Sequence, residues 1–215
     1  MYTVEFTHSP VVDSALFMPE LILIAKNVPE DILQYYLYDT VVDFCETTGI
    51  IVRELETDLY ECESEYKLDI PECERIIKFN KICIGHKTLD LNKLREANCG
   101  FDKVCGSYGI RFVPPDTLVV SPTITHNKEA CKLQVSITTA PHRDSCSIPE
   151  VLYERYRPVI VAGTLARALL IPDVENYNLA KYYQDKYNMG VAIANRHRLL
   201  AYSPSYVKIK RTKIL

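Results

Sequence analysis

The chain has 215 residues, of which 47% are apolar and 25% are charged, the balance of a globular protein with a substantial core. No apolar run approaches the roughly 20 residues of a membrane-spanning helix. The first ten residues lack the basic start and apolar centre of a signal peptide. We therefore expect neither a membrane protein nor an exported one.

The net charge of −3 hides an asymmetry along the chain. Residues 1–75 carry 17 Asp or Glu against 4 Lys or Arg, whereas residues 76–215 carry 11 against 21. Such halves can form opposite faces of one monomer, or they can form surfaces on which neighbouring subunits meet.

The first strong element is a predicted helix over residues 28–48, preceded by an arm with a short strand or helical turn. Pro29 suits the first helical position, and Glu30 and Asp31 place negative charge at the positive end of the helix dipole. Gly49 suits a left-handed helix end. Apolar residues at helical spacing predict one buried stripe, with Tyr36 and Thr40 beside it: Leu33, Leu37, Val41 and Phe44.

In residues 51–146 apolar residues tend to occur at every second position, and this alternation predicts an antiparallel β block. The clearest strand is 131–139, and the segment 61–73 is expected to be a turn-rich connection. Further strands are predicted at 52–59, 75–84, 87–89, 108–113 and 117–121, with a short helix from Asp90 to Ala97 and a turn at Pro114-Pro115-Asp116.

A second long helix is predicted over residues 148–170. Ser147 and Glu150 have the spacing of a capping box, and Pro158 should kink the helix or part it into two pieces. The small residues Ala162, Gly163 and Ala166 would let another helix approach closely. The predicted inward stripe is Leu152, Tyr156, Val159, Gly163, Ala166 and Leu170.

The last predicted helix covers residues 177–197, with Tyr183, Tyr187, Gly190 and Ala194 inward. A basic segment follows at 200–215 in which apolar and cationic residues alternate, as in an extended strand that docks on a partner. The residues predicted to form this docking tail are Tyr202, Tyr206, Val207, Lys208, Ile209, Lys210, Arg211, Lys213, Ile214 and Leu215.

The order of elements predicts an α+β fold: a helical bundle of about four helices with an inserted antiparallel β domain and an extended C-terminal tail. The predicted parts are an arm and first helix (1–50), a β domain (51–146), two long helices (147–199) and the tail (200–215). Tyrosines on the helices suit subunit packing because each combines an apolar ring with a polar tip.

No nucleotide-binding, zinc-protease or nucleophile-elbow motif occurs in the chain, and we expect no cofactor. The acidic pairs Glu54/Glu56 and Glu61/Glu63/Glu65 share a strand face, as exposed solvated carboxylates do. Eight scattered cysteines predict reduced thiols. A zinc set could be drawn from scattered residues, but no two of its cysteines have the close spacing of a structural zinc site: Cys99, Cys105, His126, Cys131, His142 and Cys146.

The order of these features resembles the head-to-tail adaptor proteins of short-tailed bacteriophages, also called head completion or tail tubular A-like proteins. The resemblance spans roughly residues 18–198. No single motif in it is specific to this family, but the whole set in this order is more specific. The matching residues are Pro29, Phe44-Cys45-Glu46-Thr47-Thr48, Arg53-Glu54-Leu55, Pro71, Arg75-Ile76-Ile77, Ile84-Gly85-His86, Tyr108-Gly109-Ile110, Pro114-Pro115-Asp116, Ile148-Pro149-Glu150, Tyr153, Ala162-Gly163, Leu165-Ala166-Arg167, Tyr182, Tyr187 and Gly190.

The resemblance implies a structural virion protein rather than an enzyme. Its copies, usually about twelve, form a ring that assembles in the host cytoplasm and joins the portal protein to the tail tube or nozzle. Genomic DNA passes through the ring without sequence-specific contacts, and no membrane is involved. The tail would dock on the portal, and the helices would pack subunits through Tyr156, Ala162, Gly163, Ala166, Tyr183 and Tyr187.

The sequence departs from the resembled pattern at Pro158 and after residue 198, where no motif is shared. Two other functions stay open. A tail-vertex cell-wall hydrolase would use the carboxylates between Glu54 and Glu65, and its clearing activity would be lost in Glu→Gln variants. A DNA-binding module would use the basic tail, and truncation after Ser203 would remove a steep salt dependence of binding.

Overall fold

The computed structural model describes residues 10–59, 64–85, 87–88, 109–121, 132–142, 147–172 and 176–202. Within these ranges the chain contains four α-helices and antiparallel sheets, so the expected mixed α+β class is confirmed. A 3-10 turn at Ser14–Leu16 precedes the helices, which are α1 (Met18–Ile24), α2 (Glu30–Thr48), α3 (Glu150–Ala168) and α4 (Tyr177–Tyr202).

The strands of the described ranges form three sheets, each antiparallel. A four-stranded sheet has the order β2-β8-β4-β5, a three-stranded sheet has the order β3-β7-β6, and β1 pairs with β9. The strands are β1 (Val11–Asp13), β2 (Val52–Asp58), β3 (Glu65–Lys67), β4 (Glu74–Ile84), β5 (Lys87–Thr88), β6 (Gly109–Val113), β7 (Thr117–Ser121), β8 (Lys132–Pro141) and β9 (Ser147–Pro149).

The apolar stripes of all four helices meet in one core, which therefore joins both ends of the described chain. The stripe of α2 is buried as its spacing predicts, and α3 packs against both α2 and α4. The central side chains of this helical core are Leu21, Leu33, Leu37, Val41, Phe44, Leu152, Tyr156, Ile160, Leu165, Tyr187 and Ala194.

A second core lies among the strands of the two larger sheets. Alternating residues of β2, β4 and β8 turn one face inward, and Tyr66, Ile110, Leu118 and Val120 of the three-stranded sheet join them. The inward residues of the four-stranded sheet are Leu55, Ile82, Ile84, Leu133, Val135 and Ile137. The alternation read from the sequence thus identifies the buried face.

Gly49 ends α2 in the left-handed conformation, with φ of 58° and ψ of 35°, as predicted. Its N–H donates to the Cys45 carbonyl at 2.8 Å. Pro29 is the residue before the helix rather than its first residue. The helix therefore starts at Glu30, one residue after the position predicted for its first residue and two residues after the start of the predicted segment 28–48.

The capping box predicted at Ser147 is wrong. Ser147 lies in strand β9 opposite Asp13, and α3 begins only at Glu150, after Pro149. The Glu150 N–H donates to the carbonyl of Pro10 at 2.9 Å. Pairing with the N-terminal arm thus supplies a backbone partner that the local sequence does not reveal.

Pro158 does not part α3 into two pieces, because the helix continues from Glu150 to Ala168. Proline supplies no N–H to the preceding turn, but Pro158 is exposed, so water can reach that side of the helix. The neighbouring Tyr156 and Ile160 are buried and hold the helix on the core. Leu170, predicted inward, lies beyond α3 and is exposed.

The region 61–73, expected to be a turn-rich connection, contains the strand β3, which pairs with β7. The N-terminal arm, expected to hold a short strand or helical turn, contains both β1 and α1. The helix α4 runs to Tyr202, so the first three residues of the predicted tail region are helical. The helix expected from Asp90 to Ala97 lies outside the described residues.

Candidate functional site

The helix pair α3–α4 is where the sequence places subunit-packing residues, and here the structure packs them within one chain. Tyr156, Ala162, Ala166 and Tyr187 are buried, and Tyr183 is half-buried. Gly163 faces α2 and α4 so closely that a Cβ on it would lie 2.6 Å from a Thr40 methyl and 2.6 Å from the Tyr187 ring. The small residues therefore permit close helix packing inside the monomer.

A polar cluster, which we call the helix-junction cluster, crosses the same contact. The Arg167 guanidinium donates to Thr40 Oγ1 at 2.5 Å and to Asp43 Oδ2 at 3.1 Å. It also lies 3.7 Å from Asp39 Oδ2. The Tyr187 hydroxyl donates to Asp43 Oδ2 at 2.7 Å. One carboxylate thus receives a hydrogen bond from α3 and another from α4.

Burial raises the pKa of the Tyr187 hydroxyl well above its ordinary value, and the hydrogen bond to Asp43 raises it further. The pKa of the nearby Cys45 thiol is also raised, first by burial and then by Glu74. Both groups therefore stay protonated near neutral pH, and a buried neutral thiol is a poor nucleophile. The cluster is suited to joining helices rather than to covalent chemistry.

An exposed apolar stripe, here named the outer α4 stripe, consists of Tyr182, Met189 and Ile193. Their spacings of seven and four residues place them on one side of the helix, about a third of a turn from the buried stripe. Met189 is 67% exposed, and the other two are about half exposed. Lys186 lies in the same stripe, with its ammonium 4.5 Å from the Tyr182 ring centre. The stripe is uncovered in the described chain.

A cleft of about 460 Å³ lies where the end of α2, the outer face of the four-stranded sheet and the last turns of α4 meet. Arg198 reaches into it beside Gly49, where an added Cβ would lie 2.6 Å from the guanidinium and 3.6 Å from Lys78 Nζ. The lining residues are Gly49, Val52, Glu54, Asn80, Lys81, Ser136, Thr138 and Arg198. The positive side chains of α4 and β4 thus lie near the negative end of the α2 dipole.

The predicted docking tail lies almost wholly outside the described residues. Tyr202 is the last residue of α4, and the predicted tail residues from Tyr206 to Leu215 are not described. The portal-docking assignment therefore remains a prediction from composition.

The carboxylates considered for hydrolysis do not form a facing pair among the described residues. Glu54 and Glu56 are exposed on β2, and Glu65 lies on β3 in a different sheet. A hydrogen bond from Lys132 lowers the pKa of Glu56, whereas a general acid needs a raised one. Glu61 and Glu63 lie outside the described residues.

The described part of the chain holds no cluster of three residues that could ligate a metal ion. Of the zinc set considered, only His142 is described, and it is exposed. The three described cysteines, Cys45, Cys73 and Cys83, are free thiols.

Arg53 on β2 and Glu74 on β4 form a buried ion pair that the sequence patterns do not predict. Arg53 Nε and Nη2 donate to the two Glu74 oxygens at 2.8 and 2.5 Å, and Thr139 donates to the same carboxylate at 2.7 Å. The available signal was the position of Arg53 on the inward side of its strand, between Ile51 and Leu55. The pair joins β2 to β4, and Thr139 joins the intervening β8 to the same carboxylate.

No helix in the described ranges has the length and apolarity needed to cross a bilayer. Comparison with known proteins finds no protein-family model and no curated protein that matches this chain.

Proposed function

We propose that this chain is a structural, non-enzymatic head-to-tail adaptor of a short-tailed bacteriophage. About twelve copies form a ring that binds the portal protein on one side and the tail tube or nozzle protein on the other. Genomic DNA passes through the ring without sequence-specific contacts. The protein is assembled in the host cytoplasm and resides at the portal vertex of the virion.

The observation that carries the proposal is the ordered set of motifs that resembles this family. Several of its members hold the fold together in this chain: Phe44, Arg53, Gly163, Arg167 and Tyr187 are all at contacts between elements. Phe44 packs against Tyr156 with ring centres 5.2 Å apart. Motifs that determine the packing of a fold support shared architecture, which is what the resemblance requires.

The arrangement of the two cores gives further support. Helices from both ends of the described chain share one core, and the strands between α2 and α3 form the other. In the proposed architecture the helices form a bundle that surrounds the channel, the β domain inserted in it faces the tail, and an extended tail follows α4. A β block that lies between the helices in sequence suits an adaptor with a different partner at each end.

The proposed portal contact is the tail beyond α4. Residues 206–215 carry Lys208, Lys210, Arg211 and Lys213 and no acidic residue. Val207 and Ile209 would fill apolar positions on the portal while the alternating cations steer the approach. Arg196 and Arg198 continue the positive charge onto α4.

The proposal is tested by co-sedimentation of the full chain with portal rings encoded by the same genome. The full chain is expected to sediment with the rings, and deletion of residues 206–215 is expected to abolish this without changing the circular dichroism spectrum. A scrambled tail of identical composition is the matched control for charge alone. Full binding by the deletion variant would overturn the tail assignment, and a full-length chain that never binds would overturn the adaptor function.

A further inference from the structure

We propose that the outer α4 stripe of one copy binds the exposed apolar segment that precedes α2 in a second copy. The inference deepens the ring proposed above by naming the two surfaces that meet. The receiving surface, here named the arm patch, consists of Leu16, Ile22 and Leu23.

The arm patch is apolar and, like the stripe, is left exposed by the residues that the structure describes. Leu23 is 68% exposed, its neighbour Ile22 is 36% exposed, and Leu16, just before α1, is 45% exposed. The neighbouring Phe17 and Leu21 are fully buried and anchor this segment on the helical core. The three outward side chains are therefore presented on an ordered support rather than on a free end.

The charges around the two surfaces are opposite. Exposed Lys181, Lys186 and Arg196 accompany the outer α4 stripe, with Asp185 as the one exposed acid of that helix. In the described residues 10–31, the segment of sequence that holds the arm patch, the exposed acids are Asp13, Glu30 and Asp31, and the one base is Lys26. Glu20 also lies there but is already paired with Arg157 at 3.3 Å. Opposite charge at the rims favours contact between unlike surfaces and disfavours stripe-to-stripe pairing.

A contact between unlike surfaces of identical chains is heterologous, so it propagates from copy to copy and closes into a ring when the rotation permits. Two patches of three apolar side chains each are small beside the roughly 800 Å² that each partner buries in a stable interface. The contact is therefore weak in isolation and becomes effective when copies are held together on a template.

The test places a photo-crosslinking benzoylphenylalanine at position 189 of the full chain. Copies labelled with ¹⁴N and ¹⁵N are mixed at about 1 mM, where weak contacts are populated, and also on portal rings. Mass spectrometry is expected to find crosslinks from position 189 to residues 16–23 of the differently labelled copy. The same crosslinker at Gln184, on the opposite side of α4, is expected to give none.

A second experiment moves the crosslinker to position 193 and adds the substitution Met189→Asp. The yield of crosslinks between copies is expected to fall by about tenfold or more. Gln184→Asp with the same crosslinker is the matched control. Met189 is exposed, so thermal unfolding of the variant should match that of the parent chain. Crosslinks to α4 of the second copy, or no crosslinks between copies in either condition, would overturn the inference. If the chain binds portal but its crosslinks fall on other residues, the two proposed contact surfaces are wrong and the adaptor function is unaffected. If the expected crosslinks form but the chain does not bind portal, the adaptor function is wrong and the contact surfaces are unaffected.

Discussion

Glu74 holds Arg53 by two hydrogen bonds at a site where the side chains are only 1% and 6% exposed. The two residues come from β4 and β2, and Thr139 of the intervening β8 adds a third bond to the same carboxylate. Removing one member of such a pair leaves the other charge buried without compensation, which costs more than the pair contributes as a whole.

Glu74→Gln is therefore expected to lower the free energy of unfolding by about 3–5 kcal/mol, measured by urea denaturation. The matched control is the exposed pair of Arg75 with Glu46, whose members are about 40% exposed. Glu46→Gln should cost about 0–1 kcal/mol, because solvent screens an exposed pair. Equal losses in the two variants would contradict the assigned role of the buried pair.

Gly163→Ala is expected to destabilise the protein by about 1–3 kcal/mol, although alanine is the better helix former. The added methyl would overlap both Thr40 and Tyr187, and neither side chain can withdraw from the core. Differential scanning calorimetry of the variant measures the loss. Stabilisation would show that the helices separate easily at this contact.

Gly190→Ala provides a second test of close packing between α3 and α4, with a designed rescue. Its methyl would overlap the side chain of Val159. The single variant should be destabilised, and Val159→Ala should recover part of that loss in the double variant because it removes the overlapping carbons. Additive losses in a double-mutant cycle would argue against the contact.

Stability is expected to fall as the pH rises above about 9, and Tyr187→Phe should reduce that fall. The raised pKa values of Tyr187 and Cys45 mean that the folded chain holds these protons more tightly than the unfolded chain. This stabilisation is fully present at a pH below the pKa values that the two groups have in the unfolded chain. It is lost as the pH rises towards the pKa values that they have in the folded chain. Urea midpoints at pH 7, 9, 10 and 11 would measure it.

The matched control for that pH series is Tyr35→Phe, because Tyr35 is exposed. Its pH dependence should equal that of the parent chain. Tyr187→Phe should also lose about 0.5–2 kcal/mol at pH 7, since it leaves Asp43 without one donor. An unchanged pH profile in Tyr187→Phe would show that this hydroxyl does not contribute to the loss at high pH.

The purified chain is expected to be largely monomeric at micromolar concentration and to form its ring only on portal. The exposed apolar patches of the described residues are small, and the residues predicted from the sequence to pack subunits are mostly buried within the chain itself. Mass photometry at micromolar concentration would detect a ring directly. A stable ring without portal would contradict the templated assembly proposed here.

Local patterns in the sequence determined most of the regular elements. The buried stripe of α2, its end at Gly49, the alternation in β2 and β8, and the helical character of α3 and α4 all depend on residues within a few positions of one another. The α+β class could be predicted for the same reason, because segments with helical spacing of apolar residues precede and follow segments with the alternating spacing of strands. The functional proposal also came from the sequence, through the order of its motifs.

Only the tertiary structure decided which side chains meet. Asp43 and Tyr187 are 144 positions apart, and Arg53 and Glu74 are 21 apart, so no local period relates them. Ser147 pairs in a strand instead of capping α3 because the distant arm supplies its partner. Likewise, a tyrosine or small residue on a helix suits a core and a subunit interface equally well. The structure distinguishes the two cases because most of the residues predicted to pack subunits are buried within the chain. The exposed residues Tyr182, Met189 and Ile193 are therefore the candidate contact surface on α4.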